Sequence, residues 1–351
     1  MEKRLDPDSF DFPVEKIKKG LYSDIYFLRT QAILEQGGIN SHVTVQVFQR
    51  DYAMLCGIDE AIALIKRCSY NPKELKIRAL HDGDMIAPWE TIMTIEGNLA
   101  DFIHLETVYL GTLARRTKIA TNCHRAVEAA NGKPVLFFPS RFDEYTVQEG
   151  DGYAAKVGGM SNVSTPANAM CWGIEAAGTI PHALIAAFGG DTLAATKAFD
   201  KYMDPEISRI ALVDFNNDCV NTSLALAREL GDKLEGVRLD TSDKMVDVSL
   251  IGQMGHFKPT GVNEQLVRNV REALDREGFS HVKIIVSGGF NPERIHLFEQ
   301  NGVPVDIYAV GSSIFATNVD FTADVVLLDG KSCAKAGRQY MDSDRLEKVE
   351  M

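Results

Sequence analysis

Ile284-Ile285-Val286-Ser287-Gly288-Gly289-Phe290-Asn291-Pro292 joins a short apolar run to a glycine pair and a helix start. Asn291 suits an N-cap and Pro292 the first helical position, so the stretch reads as a strand that turns sharply into a helix. The same texture recurs on both sides of it. Val135-Leu136-Phe137-Phe138 precedes Arg141, Gly158-Gly159 precedes Ser161-Asn162, Gly178-Thr179 precedes His182, and Ile210-Ala211-Leu212-Val213 precedes Asp214. Gly236-Val237-Arg238-Leu239-Asp240 and Ile307-Tyr308-Ala309-Val310-Gly311-Ser312 continue the series. Between the signatures lie helical patterns such as Leu224 to Leu234 and the stripe Leu266, Val267, Val270 and Leu274. Successive signatures lie about 20 to 50 residues apart, a spacing that suits βα units. Polar residues at every strand end favour a (β/α) barrel, whose chemistry gathers at that end of the strands. An open, doubly wound sheet is the alternative and would put its ligand at a switch point.

Ahead of residue 112 the texture is mixed. Val43-Thr44-Val45-Gln46-Val47-Phe48 and Thr91-Ile92-Met93-Thr94-Ile95 read as strands and Gly57 to Arg67 as a helix, the pattern of an α+β unit. The chain is expected to divide into an N-terminal α+β domain over 1–112 and a barrel over 113–317.

The 351 residues are 45% hydrophobic and 25% charged, ordinary for a folded globular chain. Lys plus Arg total 37 against 49 Asp plus Glu, a formal charge of -12, so the chain as a whole repels nucleic acid and anionic membrane. Any phosphate it binds needs a local pocket. Six scattered cysteines without C-x-x-C spacing argue against a zinc site and a disulfide framework. The polar start Met1 to Asp8 and the lack of any apolar run of about 18 residues lead us to expect a cytoplasmic protein with no nucleic-acid or membrane partner.

The glycines of Ser287-Gly288-Gly289, followed at once by a helix, would present bare backbone N–H groups to an anion, and Gly311-Ser312 on the next strand would add donors. Tight turns alone also account for such glycines. Arg238 and Asp240 are two residues apart on a strand and share a face, with Ser242 behind them. That pair suits a diphosphate and ribose hydroxyls, or a structural ion pair. Asp214 supplies a second carboxylate from the preceding strand. His182 lies at a strand-to-helix corner, where an imidazole can act as nucleophile or acid/base group, or simply sit hydrogen-bonded in the core. Phe138 and Arg141 would offer a platform and a cation to a flat anion; Phe138 must then point opposite to Phe137.

This constellation resembles the type II phosphoribosyltransferases, and within them the nicotinate branch, over nearly the whole chain. Asp24-Ile25-Tyr26 looks like the family's Asp-x-Tyr, whose tyrosine reaches the neighbouring subunit's base site. Phe138-Pro139-Ser140-Arg141 resembles Phe-Gly-x-Arg, with Pro139 in the place of the usual glycine. Gly159-Met160-Ser161-Asn162-Val163 resembles the nicotinate form of a base-site loop. Gly178-Thr179-Ile180-Pro181-His182 is similar to the Gly-Thr-x-x-His element whose histidine is phosphorylated by ATP. Val213-Asp214, Arg238 to Ser242, Ser287-Gly288-Gly289 and Val310-Gly311-Ser312 resemble the elements that hold phosphoribosyl diphosphate.

The resemblance implies an irregular (β/α) barrel with an N-terminal open-faced α+β sandwich that 318–351 completes. It implies transfer of a phosphoribosyl group from phosphoribosyl diphosphate to nicotinate, with Mg2+ and ATP hydrolysis, in NAD biosynthesis. The site would comprise Tyr26, Phe138, Arg141 and Ser161 for nicotinate, and Arg238, Ser242, Gly288, Gly289, Gly311 and Ser312 for the phosphates. His182, as a phosphohistidine, and the carboxylates Asp214 and Asp240 would carry the chemistry, with no protein side chain a direct metal ligand. A homodimer or larger homo-oligomer would share its active sites. A decarboxylating quinolinate transferase is the runner-up; its Glu-Arg-Thr and Arg-Lys-Thr-Thr-Pro elements read here Glu106-Thr107-Val108 and Ser140-Arg141-Phe142. A catalytically silent nucleotide-binding regulator is the third reading.

Overall fold

The computed structural model describes residues 4–255 and 257–351. Two compact units emerge, one formed by 1–121 with 317–351 and the other by 122–316. The expected break after 112 falls inside the helix Glu106–Ala129, and the division lies after Thr121. A texture change cannot locate a boundary within a continuous helix, because backbone periodicity runs through it unaltered.

The second unit is built on a six-stranded sheet, in spatial order Asn162–Val163, Val135–Phe137, Ile307–Val310, Lys283–Val286, Leu234–Leu239 and Arg209–Leu212, every neighbour parallel. Its first strand in the chain, Val135–Phe137, pairs with its last, Ile307–Val310. That pairing is how a barrel closes; here the gap falls instead between Asn162–Val163 and Arg209–Leu212. The fold is therefore an irregular (β/α) barrel open on one side. No strand forms ahead of His182, contrary to the expectation. Segment 173–181 is irregular, and it meets the sheet through Ala177, whose N–H donates to Val163 O at 2.8 Å. Pro181 has no N–H to give to a ladder, and Gly178 gains nothing from strand packing. Ile180 still reaches a small core with Ile185, Ala195 and Leu212.

Helices cover the sheet as their periodicity requires. Leu266, Val267, Val270 and Leu274 are buried on the helix Glu264–Arg276. Asn291 caps the helix Pro292–Gln300 by accepting from Arg294 N, with Pro292 at its start as expected. Helix Gln148–Val157 meets the short helix Pro166–Ala169 at Gly152, where a Cβ would sit 2.0 Å from Asn168 O.

The first unit carries an antiparallel sheet ordered Lys331–Ser332, Phe321–Leu328, His42–Gln49, Thr91–Asn98, Lys76–Ala79 and Glu347–Val349. Its apolar face packs on the helix Ile58–Cys68 through Ile58, Ile62 and Ile65, with Ile77, Ile95 and Tyr109 in the same core. The chain leaves this sheet at one edge and rejoins it at the other. In between it crosses the sheet, where Met341 N–H donates to Gln46 Oε1 and Thr91 Oγ1 donates to Met341 O, both at 2.8 Å.

No helix among the described residues is long and apolar enough to cross a membrane. Gly152→Ala should lower the unfolding free energy by about 3 kcal/mol, because the obstructing atoms are backbone and cannot rotate away. The urea midpoint of the variant measures this.

Candidate active site

Parallel pairing sets the strand ends in two nearly level groups: Phe137 lies opposite Val163 and Val310, and Leu239 lies opposite Val286, which itself pairs with Tyr308, two residues before Val310. The residue after each strand therefore emerges at one rim. There a cavity of about 670 Å³ is lined by Phe138, Arg141, His182, Arg238, Asp240 and Ser287, with Gly288, Gly289, Gly311 and Ser312 beside them. Phe137 is fully buried while Phe138 faces the cavity, as strand alternation requires. Arg141 is exposed, with its guanidinium 5.5 Å from the Phe142 ring centre.

Arg238 is a cation at the end of a buried strand. Burial pushes its guanidinium down from its ordinary value, and Asp240 and Asp214 pull it back up. Its Nε is buried with no hydrogen-bond partner among the described residues. An orphaned guanidinium N–H is costly unless a ligand completes it. Asp240 Oδ1 accepts from Ser287 Oγ at 2.7 Å, which orients the carboxylate beside the glycine turn.

At Gly288 φ is +83°, and a Cβ would lie 3.4 Å from Asp240 Oδ1, so only glycine fits without strain. Arg294 holds the turn from behind, donating from Nη1 to Gly288 O at 2.9 Å and Gly289 O at 3.3 Å. The N–H groups of Gly288 and Gly289 find no acceptor among the described residues. The result is a glycine turn at the start of a helix that offers two unpaired backbone donors.

His182 opens the helix His182–Ala187 and is half-exposed, and its Nε2 lies 3.1 Å from Oδ1 of the buried Asp214. A carboxylate only accepts, so Nε2 carries a proton, and in the neutral ring the lone pair is then on Nδ1. Asp214 itself does not line the cavity and meets it only through its bond to His182. Burial pushes its carboxyl up, His182 pulls it down, and Asp240 adds to the rise.

Three further expected residues are not among the lining residues. Ser161 is level with Val135 at the start of its strand, where its Oγ accepts from Val135 N at 3.2 Å. The cavity instead meets Ser164 and Thr165, beyond the strand's end. Ser242 is exposed and outside the cavity lining, because strand geometry ends at Leu239 and the alternation argument ends with it. Tyr26 is 57% exposed on the helix Ile25–Gln36 and is not among the lining residues.

Sequence reasoning missed a polar network behind the cavity. Ser140 Oγ donates to Oδ1 of the buried Asn168 at 2.6 Å and lies 3.0 Å from Ser164 Oγ, while Thr165 Oγ1 lies 3.0 Å from Gln148 Oε1. The one signal for it was Thr165-Pro166, an N-cap residue before proline.

A family model described as "Quinolinate phosphoribosyl transferase, C-terminal domain" matches residues 119–324, and its N-terminal counterpart matches 24–117. The chain belongs to the quinolinate phosphoribosyl transferase family. Within it, the chain is 26% identical over 344 residues to the nicotinate phosphoribosyltransferase pncB1 of Mycobacterium tuberculosis, covering 88% of this chain and 71% of that one. A crystal structure of nicotinate-nucleotide pyrophosphorylase from Pyrococcus furiosus is 33% identical with a TM-score of 0.82, covering 99% of this chain and 86% of that one. Human nicotinic acid phosphoribosyltransferase, at 17% identity and TM-score 0.65, covers 91% of this chain and 77% of its own and shares the fold. Membership agrees with the resemblance to type II phosphoribosyltransferases at the level of the family.

Because the folded-state pKa of Asp214 is raised, its ionisation weakens the folded state as pH rises through that pKa. Asp214→Asn should therefore melt at a higher temperature than the parent at pH 8. The gain should fade below about pH 4, where both side chains are neutral. Thermal melts across that range measure it.

Proposed function

We propose that the protein is a nicotinate phosphoribosyltransferase of NAD biosynthesis, making nicotinate mononucleotide and diphosphate from nicotinate and phosphoribosyl diphosphate. The observation that carries this is the charge of the cavity. Arg238, the glycine turn and Gly311-Ser312 make a phosphate end, and Arg141 is the one Lys or Arg besides Arg238 among the lining residues. One free guanidinium matches a base with one carboxylate, whereas a dicarboxylate would call for more cations.

In this reading the pyridine nitrogen attacks C1 of the sugar as the C1–O bond to diphosphate breaks. The ring nitrogen is already a free base, so no proton has to be removed. Phe138 and Arg141 orient the ring, Asp240 accepts from ribose hydroxyls, and Arg238 with the Gly288 and Gly289 N–H groups stabilises the charge of the leaving diphosphate. Tyr26 would close the base site of a second copy in a homo-oligomer. No cluster of three or more His, Cys, Asp or Glu that could hold a metal occurs among the described residues. Asp240, which does line the cavity, would instead suit a magnesium ion that arrives on the diphosphate, because magnesium takes few carboxylates together with substrate phosphates. Such an ion would neutralise charge on the leaving group.

ATP coupling runs through His182 in this proposal. Nδ1, left with its lone pair by the Asp214 bond, takes the terminal phosphoryl of ATP and releases ADP; water later cleaves the phosphohistidine to inorganic phosphate. The runner-up, quinolinate transfer with loss of carbon dioxide, is supported by the family model's name.

Diphosphate release should be measured with nicotinate, nicotinamide or quinolinate, each with and without ATP. The expected result is release with nicotinate, raised by ATP. Release with quinolinate alone, accompanied by carbon dioxide, would move the function to the runner-up, and silence with all three would leave a ligand-binding protein. His182→Ala should keep weak transfer and lose the stimulation by ATP, and stimulation that persists would remove His182 from the coupling.

A further inference from the structure

The first unit holds a second cavity, of about 740 Å³, where the crossing segment passes over the sheet. Phe48 and Trp89 line it, Phe48 buried and Trp89 with half its surface exposed. Their rings stack with centres 5.5 Å apart at 28°. Trp89 is held at φ +69° by its N–H bond to Gln49 O at 2.7 Å. A non-glycine residue in the left-handed region is strained, and such strain clusters at ligand clamps.

Two guanidiniums attend this indole. Arg338 of the crossing segment lies 5.3 Å from the Phe48 ring centre and 5.2 Å from that of Trp89, and Arg50 lies 5.7 Å from Trp89. Arg338 uses its Nε on Asp324 at 2.8 Å, and Arg50 is exposed without an ion pair among the described residues. A clasp serving only to fasten the crossing segment would bury its indole and need one cation. Here the second cation and half the indole surface are left facing solvent, in a chain whose formal charge is -12.

We propose that this cavity binds a nucleotide-like ligand, a planar heterocycle carrying a phosphate. The heterocycle stacks on Trp89, and the phosphate is held by Arg50 and the free end of Arg338. Its size is in the range of small-molecule sites. Its lining shares no residue with the rim cavity, and the proposal does not rest on the reading of that cavity.

The test uses the full chain and adenosine monophosphate as probe, followed by tryptophan fluorescence. The chain has two tryptophans, and Trp89→Phe removes the reporting one. Saturable quenching by adenosine monophosphate is expected in the parent and should be absent from Trp89→Phe. Arg50→Ala, on an exposed side chain, should raise the dissociation constant about tenfold. Adenosine and ribose 5-phosphate, each with half of the recognised chemistry, should bind more weakly than the whole. No quenching at millimolar adenosine monophosphate overturns the proposal. So does quenching that survives Trp89→Phe, or that is the same in Arg50→Ala.

Discussion

The parallel register of the six-stranded sheet is the constraint on which the site depends. Phe137, Val163 and Val310 end their strands in step, Leu239 and Val286 do the same two residues earlier in the register, and the next residues in five separate stretches of chain meet around one space. No single stretch contains the site. A slip of one residue in any pairing would turn Phe138 or Arg238 away from the cavity and send an apolar neighbour into it. The core that holds the register is ordinary: fully buried Val237, Ile284, Val286, Tyr308 and Val310 under amphipathic helices.

Against this apolar frame the cavity concentrates unmet polar capacity. Arg238 is a half-buried cation whose buried Nε has no partner, the Gly288 and Gly289 N–H groups have no acceptor among the described residues, and Asp240 is held in place by Ser287. The unpaired donors are costly without an acceptor, and together with Asp240 they suit the polyanion with hydroxyls nearby that the proposed function assigns to this cavity. A chain with a formal charge of -12 can hold such a ligand because the favourable field is local. The Asp214–His182 bond belongs to the same logic, with a buried carboxylate fixing the proton of an exposed imidazole.

Much of this was legible in the sequence, for physical reasons that also mark where legibility stopped. Gly288 and Asn291 could be read because positive φ and helix capping are demanded locally. Arg238 and Asp240 could be paired because both sit where strand alternation still holds or has just ended; Ser242, two residues further, could not. Ser161 was misjudged because a motif gives order along the chain but not register, and the pairing of Leu136 with Asn162 sets it a strand's length short of the rim. The strand expected before His182 failed for a similar reason: glycine and proline mark a corner whether or not a ladder precedes it. The Ser140, Ser164, Thr165 and Asn168 network was invisible because its members are small polar residues whose meaning comes only from meeting.

The central claim is that the rim cavity is a phosphoribosyl diphosphate site completed by the Arg238 guanidinium. Calorimetric titration of phosphoribosyl diphosphate with magnesium, into the parent and into Arg238→Gln, tests it most directly. The account predicts tight binding in the parent and binding weakened about a hundredfold in the variant, with the fold retained. Equal affinity in the two folded proteins would contradict it.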